Sequence, residues 1–139
     1  YNSKNEILII NNRQISNFTG EEHWELVQGG IEKNETPSDA MLRELKEETG
    51  FNKFIIKQKS NSKFEFLRPL SSPTSKNIYH CFFVFCTDAE SLAAETSESK
   101  GFRWVNQDVL IQSLHLTRRL ISKELLLELK NLKKDGKIE

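Results

Sequence analysis

The segment Gly29–Phe51, GGIEKNETPSDAMLRELKEETGF, carries most of the structural and functional information in this 139-residue chain. Its glycine and charged residues follow the pattern G-x5-E-x7-R-E-U-x-E-E-x-G-U, in which U is a bulky apolar residue. A charged run such as RELKEE is usually a solvated helix face. Here Gly29, Glu35 and Gly50 stand at fixed spacings around the run, and this arrangement favours a functional interpretation.

Signals for the start and the end of a helix lie inside this segment. Pro37 suits the first helical turn, where its missing N–H group is not needed. Thr36 or Ser38 can accept a hydrogen bond from an unpaired amide of that turn. Gly50 suits the left-handed conformation that commonly ends helices. We therefore predict a helix, called the box helix, from about Pro37 to Thr49.

Three glutamates crowd one face of the box helix. Glu44, Glu47 and Glu48 stand at i, i+3 and i+4, positions that are neighbours on a helix surface. Like charges this close repel one another, so the cluster needs a counter-charge. Oxygen ligands in a segment without His or Cys favour Mg²⁺ or Mn²⁺ over zinc. The guanidinium group of Arg43 would orient the carboxylates, and Gly29 and Gly30 would let the backbone approach metal and phosphate.

The segment resembles the signature of the Nudix hydrolases, which use Mg²⁺ or Mn²⁺ to cleave a nucleoside diphosphate linked to another group. The resemblance implies an α/β fold, a Nudix-type α/β/α sandwich with a mixed β-sheet between the box helix and a C-terminal helix. It also implies one domain over residues 1–139. Family members generally have a strand before the first one predicted here, so we expect a truncated first element.

The resemblance further assigns roles to residues of the segment Gly29–Phe51, which is called the box, and to its neighbour Gln28. It implies that Glu44, Glu47 and Glu48 are metal ligands and that the backbone carbonyl of Gln28 or Gly29 adds another. Arg43 joins the catalytic group as the residue that orients these carboxylates. Glu35 has two alternatives, because it either braces the loop against the helix or belongs to the metal shell.

The general base varies among members of the family. It is either a box glutamate, here Glu44 or Glu47, or a glutamate in a loop outside the box. The loop candidate is Glu98, because ETSESKGFRWV resembles the acidic segment before the Phe-x-Trp strand of many members. Glu95 is the alternative, and an ordinary polar loop is the competing interpretation of both.

The substrate must be inferred from residues outside the box. WELVQGGI, residues 24–31, resembles the W-x-x-P-Q-G-G-I segment of diadenosine tetraphosphate hydrolases and RNA 5′-pyrophosphohydrolases, with Val27 replacing proline. With valine at this position, the segment also resembles the corresponding segment of some pyrophosphohydrolases that act on nucleoside or pterin triphosphates. We expect a dinucleoside polyphosphate or an RNA 5′ end as substrate. The alternatives are hydrolysis of free (d)NTPs and a Nudix module that binds a nucleotide without turnover.

Cations and aromatic side chains outside the box are candidates for substrate binding. A long polyphosphate needs positive charge beyond the metal, and a purine needs a flat apolar partner. Surface solubility and core packing are the competing roles. The candidate cations are Lys63, Arg68, Lys76 and Arg103, and the candidate stacking residues are Tyr79, which we prefer, Phe66, Phe83 and His80.

Composition excludes several classes of partner. Lys plus Arg and Asp plus Glu number 20 each, so no global field favours duplex nucleic acid or an anionic membrane. The chain has no apolar run long enough to span a bilayer, and its start does not resemble a signal peptide. Tyr1 in place of Met implies trimming or processing. We expect a cytoplasmic location.

Short apolar runs predict the strands. We expect Phe54–Ile56 and Phe64–Leu67 to form a pair around a turn, and Ile78–Thr87 to be a central strand buried on both faces. Cys81 and Cys86 would lie on opposite faces of that strand, unable to form a disulfide, as small buried hydrophobes. The other predicted strands are Glu6–Ile10, Trp24–Val27 and Phe102–Val105.

The end of the chain predicts two helices. Asn106-Gln107-Asp108 opens a short one, and the last begins near Thr117. The apolar stripe of the last helix is Leu120, Ile121, Leu125, Leu129 and Leu132.

Overall fold

The computed structural model of the chain describes residues 1–67, 76–87 and 101–139. This part contains strands and helices in a mixed α/β arrangement, as predicted. The strands are β1 (Glu6–Asn11), β2 (Trp24–Leu26), β3 (Phe54–Lys59), β4 (Phe64–Leu67), β5 (Lys76–Tyr79), β6 (Phe82–Cys86) and β7 (Phe102–Asn106). The helices are α1 (Arg13–Thr19), α2 (Pro37–Thr49), α3 (Leu110–Ser113) and α4 (Arg119–Lys134), with 3₁₀ turns at Gln107–Val109 and Leu116–Arg118.

The strands form three small sheets. One has the order β2-β1-β7, and the other two are the pairs β3-β6 and β4-β5. Every pairing among the described residues is antiparallel. The parallel pairing that a mixed sheet requires is therefore not found in this part of the chain.

Strand β1 packs on both of its faces because successive side chains point to opposite sides of a sheet. Ile9, which is fully buried, lies in a cluster with Leu129 and Leu132 of α4. Leu8 lies in a second cluster with Leu45 of α2. The strand thus separates a core under α4 from a core under α2.

Helix α2 has the predicted bounds, because its start and stop signals are local. The Thr36 hydroxyl accepts a hydrogen bond from the Asp39 amide at 3.2 Å. At the other end, Gly50 has a φ of 76° and its amide donates to the Lys46 carbonyl at 2.8 Å. These caps fix which turn of the helix carries the glutamates.

The prediction of one central strand over Ile78–Thr87 is wrong. The run is divided into β5 and β6 at His80-Cys81, and Ile78 is 55% exposed. The division arises because β5 pairs with β4, whereas β6 pairs with β3. The prediction that β3 pairs with β4 is wrong for the same reason. Cys86 is buried as predicted, but Cys81 is only partly buried, and the two do not form a disulfide with each other.

Helix α1 was not predicted, because none of its residues is buried and it has no apolar stripe. Its signals are the caps: the Asn12 side chain accepts from the Ile15 amide, and Gly20 follows at a φ of 76°. In α4 the predicted stripe is only partly right. Leu129 and Leu132 are buried, whereas Leu120 is 73% exposed.

Candidate active site

Arg43 connects α2 to the loop that precedes it by hydrogen bonds. This loop contains Gly29 and Gly30 and is called the glycine loop. Its Nε and Nη2 donate to the two carboxylate oxygens of Glu35 at 2.7 and 3.1 Å. The same Nη2 donates to the Gly30 carbonyl at 2.8 Å. Glu35 also accepts from the Glu32 amide at 2.9 Å. Glu35 therefore braces the loop, and its hydrogen bonds from Arg43 lower the pKa of its carboxyl group.

The remaining nitrogen of Arg43 contacts two of the box carboxylates. Nη1 lies 2.8 Å from Glu44 Oε1 and 3.3 Å from Glu47 Oε2. The hydrogen bonds that Arg43 donates to Glu35 first, and then to Glu44, raise the pKa of the guanidinium group above its ordinary value. The bridging geometry expected for Arg43 is present, and one planar cation connects three carboxylates.

Gly29 leaves the space that the Glu44 side chain occupies. A Cβ at position 29 would overlap the Glu44 carboxyl group and its Cγ, whereas a Cβ at Gly30 would meet nothing within 4 Å. The close approach thus explains why glycine is needed at position 29 and not at position 30. It also brings the backbone next to a predicted metal ligand, as the sequence indicated.

Glu48 faces a different environment from the other two glutamates. Burial raises the pKa of its carboxyl group, and the negative charge of Glu44 adds to that effect, whereas Arg13 opposes it. Glu48 lines a polar cavity of about 330 Å³ together with Gln28, Glu25 and Arg13. No signal in the sequence pointed to Arg13, because it belongs to the unpredicted helix α1.

The box carboxylates fit a hard divalent cation by their chemistry, since they offer only oxygen donors. Among the described residues, however, no three His, Cys, Asp or Glu side chains converge on one point that could hold a metal ion. Arg43 holds Glu44 and Glu47 in its own hydrogen bonds, and like charges repel Glu48. The donor set is suitable, and two of its three members share one nitrogen of Arg43 as hydrogen-bond donor.

A larger cavity of about 830 Å³ opens beside the box glutamates. Glu44, Met41 and the loop Gly29–Ile31 line it, and Tyr79 is also among its lining residues. The predicted stacking residue therefore shares a cavity with a predicted metal ligand. Further lining residues are His80, Phe83, Trp104, Ser122, Leu125 and Leu129.

The other predicted substrate residues are not brought to this cavity by described contacts. Arg103 stacks over the Trp24 ring, with its guanidinium carbon 4.2 Å from the ring centroid. Its guanidinium group therefore makes a cation–π contact with Trp24. Lys63 is exposed. Arg68, Glu95 and Glu98 lie outside the described residues, as do the side chains of Phe66 and Lys76.

Sequence reasoning also missed a buried carboxylate in β2. Glu25 is 2% exposed and accepts a hydrogen bond from Asn12 Nδ2 at 3.0 Å. Arg118 Nε and His23 Nε2 lie 3.0 and 3.3 Å from its other oxygen, within ion-pair distance but without hydrogen-bond alignment. The only available signal was the polar residue inside the WELV run. The cluster ties β2, which leads into the glycine loop, to the residue before α4.

Comparison with known proteins matches this chain to one family. A family model described as NUDIX domain matches residues 1–128. No helix in the described part of the chain combines the length and the apolarity needed to cross a membrane.

Several bacterial proteins named RNA pyrophosphohydrolase are similar to the chain. The protein of Marinomonas sp. (strain MWYL1) is 34% identical over 100 residues, covering 63% of this chain and 62% of that protein, which is less than two thirds. The protein of Orientia tsutsugamushi (strain Boryong) is 30% identical over 137 residues, which cover 87% of this chain and 85% of that protein. The protein of Hydrogenovibrio crunogenus is 28% identical over 139 residues, which cover 88% of this chain and 84% of that protein.

Proposed function

Because this chain belongs to the NUDIX family, we propose that it acts as a Nudix pyrophosphohydrolase on the triphosphorylated 5′ ends of RNA. The observation that carries the proposal is the arrangement of Arg43, which joins Glu35, Glu44 and Glu47 beside the glycine loop. The name shared by the similar proteins supports RNA 5′ ends as the substrate class.

Glu44, Glu47 and Glu48 would hold Mg²⁺ or Mn²⁺, and the carbonyl of Gln28 or Gly29 would add a ligand. A bound divalent cation neutralises charge on the phosphates and makes a water molecule nucleophilic. Arg43 donates hydrogen bonds to Glu44 and Glu47, and Glu44 also lies next to Gly29. The proton of the attacking water is assigned to Glu44 or Glu47, or to Glu98 in the loop outside the box.

The larger cavity is the proposed substrate site. Glu44 and Tyr79 both line it, and the proposal puts the phosphate chain at the box and the base at the aromatic ring. Stacking of a base on an aromatic side chain is worth about 1–3 kcal/mol. Phe66, Lys76 and Arg68 belong to the same proposal as further substrate contacts.

Dinucleoside polyphosphates such as diadenosine tetraphosphate are the second candidate class. The observation in their favour is the segment WELVQGGI, which resembles hydrolases of both classes. Diadenosine tetraphosphate carries its polyphosphate chain between two nucleosides, whereas the triphosphate of an RNA 5′ end is terminal. Free (d)NTPs also have a terminal triphosphate but lack the rest of the RNA chain, and they are the third candidate.

The finer features of the fold belong to the same proposal. Packing of β1 against α4 on one face and α2 on the other supports the α/β/α sandwich. The proposed sandwich has a mixed β-sheet. Residues 1–139 are proposed to form a single domain. The proposed location is the cytoplasm, where RNA 5′ ends and nucleotides are available.

The test is product analysis after incubation with Mg²⁺. The panel is 5′-triphosphorylated RNA, diadenosine tetraphosphate, the common (d)NTPs and nucleotide sugars, compared by kcat/KM. We expect the highest value for triphosphorylated RNA, with pyrophosphate or successive phosphates as products. A higher value for the dinucleoside or for free nucleotides would reassign the substrate. Tight binding without turnover of any member would replace the enzyme by a nucleotide-binding module.

A further inference from the structure

The pairs β3-β6 and β4-β5 follow one another along a two-stranded ribbon. Strands β3 and β4 form one side of it, strands β5 and β6 form the other, and an irregular step separates the two pairs. Lys59 of β3 pairs with Phe82, and Phe64 of β4 pairs with Tyr79. Residues 60–63 on one strand therefore stand opposite His80-Cys81 on the other. The Ser60 amide closes the step by donating to the Cys81 carbonyl at 2.8 Å. Such a bulge bends a ribbon and sets the direction of the hairpin beyond it.

Glu128 of α4 binds this step with both oxygens of its carboxylate. The Ser60 hydroxyl donates to Oε2 at 2.5 Å, and the Asn61 amide donates to Oε1 at 2.9 Å. The Ser62 hydroxyl lies 3.4 Å from Oε2. Ser60 is 6% exposed, so water competes little for its hydrogen bond to the carboxylate. One side chain of α4 thus fixes three consecutive residues of the ribbon.

The two elements that Glu128 connects are walls of the larger cavity. Strand β5 contributes Ile78 and Tyr79, followed by His80 and Cys81 at the step. Helix α4 contributes Ser122, Leu125, Leu126 and Leu129 to the lining of the same cavity. A displacement of the β4–β5 hairpin relative to α4 would therefore change the shape of the cavity.

Among the described strands, β4 and β5 pair with each other and with no other strand. An isolated two-stranded ribbon is only marginally stable in water. A hairpin released from α4 would have to be ordered when the substrate binds, at a cost in affinity.

We propose that Glu128 is a positioning residue, which holds the β4–β5 hairpin against α4 and thereby sets the affinity for the substrate. The inference rests on the proposed function, because it takes the larger cavity as the substrate site. Glu128 acts through Ser60 and Asn61 and takes no part in the chemical step at Glu44 and Glu47. Its removal therefore raises KM and leaves kcat unchanged.

The experiment compares Glu128→Ala with Glu124→Ala, which removes an exposed carboxylate from the same helix. Both are assayed on the best substrate of the panel. We expect KM to rise about tenfold in Glu128→Ala, equivalent to about 1.4 kcal/mol, with kcat within about twofold of the intact chain. Glu124→Ala should match the intact chain in both parameters. Glu128→Gln, which keeps one acceptor oxygen for the Asn61 amide, should lie between them.

Amide hydrogen exchange separates positioning from a general loss of stability. In Glu128→Ala we expect faster exchange in β4 and β5 and unchanged exchange in α2. An unchanged KM, or equal falls of kcat and kcat/KM, would overturn the proposal. If Glu128→Ala does not fold, the same criteria apply to Glu128→Gln. An inactive intact chain would instead refute the proposed function, so the two failures are distinguishable.

Discussion

At the scale of single residues, the backbone at Gly29 lies close to the side chain of Glu44, a proposed catalytic residue and metal ligand. A Cβ at this position would overlap the Glu44 carboxyl group. Gly29→Ala should therefore displace Glu44 and lower kcat by about a hundredfold, the loss that a shift of about 1 Å in a catalytic group can cause. The fold should survive, because the overlapping atoms are the end of a flexible side chain. Steady-state kinetics and thermal unfolding of the variant test this.

Gly30→Ala is the matched control for this prediction. A methyl group there meets nothing within 4 Å, and the Gly30 carbonyl that accepts from Arg43 is retained. We expect at most a small loss of activity in this variant. Equal losses in the two variants would show that the loop needs glycine for flexibility and not for the approach of Glu44.

Residue spacing predicted part of this site and missed the rest for a physical reason. The contact of Arg43 with Glu47 follows from i, i+4 geometry on a helix, so it was predictable. The contacts of Arg43 with Glu35 and Gly30 depend on how the loop folds back over the helix. Arg13 and Glu25 come together with the box only through the tertiary fold.

At the scale of elements, the caps of α2 place the glutamates next to the glycine loop. The Thr36 hydroxyl accepts from the Asp39 amide. Thr36→Ala should lower the free energy of unfolding by about 1 kcal/mol, the typical loss for an N-cap hydroxyl. Thr36→Ser keeps the hydroxyl and should stay near the intact chain. Urea unfolding measures both, and equal stability of Thr36→Ala and Thr36→Ser would contradict the capping role.

Helix α2 was predictable because its signals are local, whereas β5 and β6 were not. IYHCFFVFCT has no internal alternation that marks a break. The break at His80-Cys81 follows from pairing with two separate partners, β4 and β3. Leu120 is exposed although it fits the spacing of the α4 stripe, because spacing alone does not show which turns of a helix the core covers.

At the scale of the whole molecule, the buried cluster around Glu25 makes stability depend on pH. Burial lowers the pKa of His23 below its ordinary value of 6.5, and the neighbouring His115 ring adds to the effect, whereas Glu25 opposes it. The unfolded chain therefore binds the proton more readily than the folded chain. Stability is full above pH 6.5 and falls as the pH drops from there to the folded-state pKa of His23.

Denaturant unfolding at about pH 7.5 and about pH 5.5 tests this dependence. The intact chain should be less stable at the lower pH, and His23→Gln should lose part of that difference. His80→Gln, at an exposed position, is the control and should behave like the intact chain. The same pH dependence in His23→Gln as in the intact chain would assign the effect to other groups.

The central claim is that the box carboxylates on α2 form a metal-dependent hydrolytic site. Its most direct test is the rate of pyrophosphate release from 5′-triphosphorylated RNA as Mg²⁺ is titrated, for the intact chain and for Glu47→Gln. We predict a rate that rises with Mg²⁺ in the intact chain and is lower by orders of magnitude in Glu47→Gln, with an unchanged circular dichroism spectrum. Near-normal turnover in Glu47→Gln, or turnover without divalent metal, would contradict the assignment.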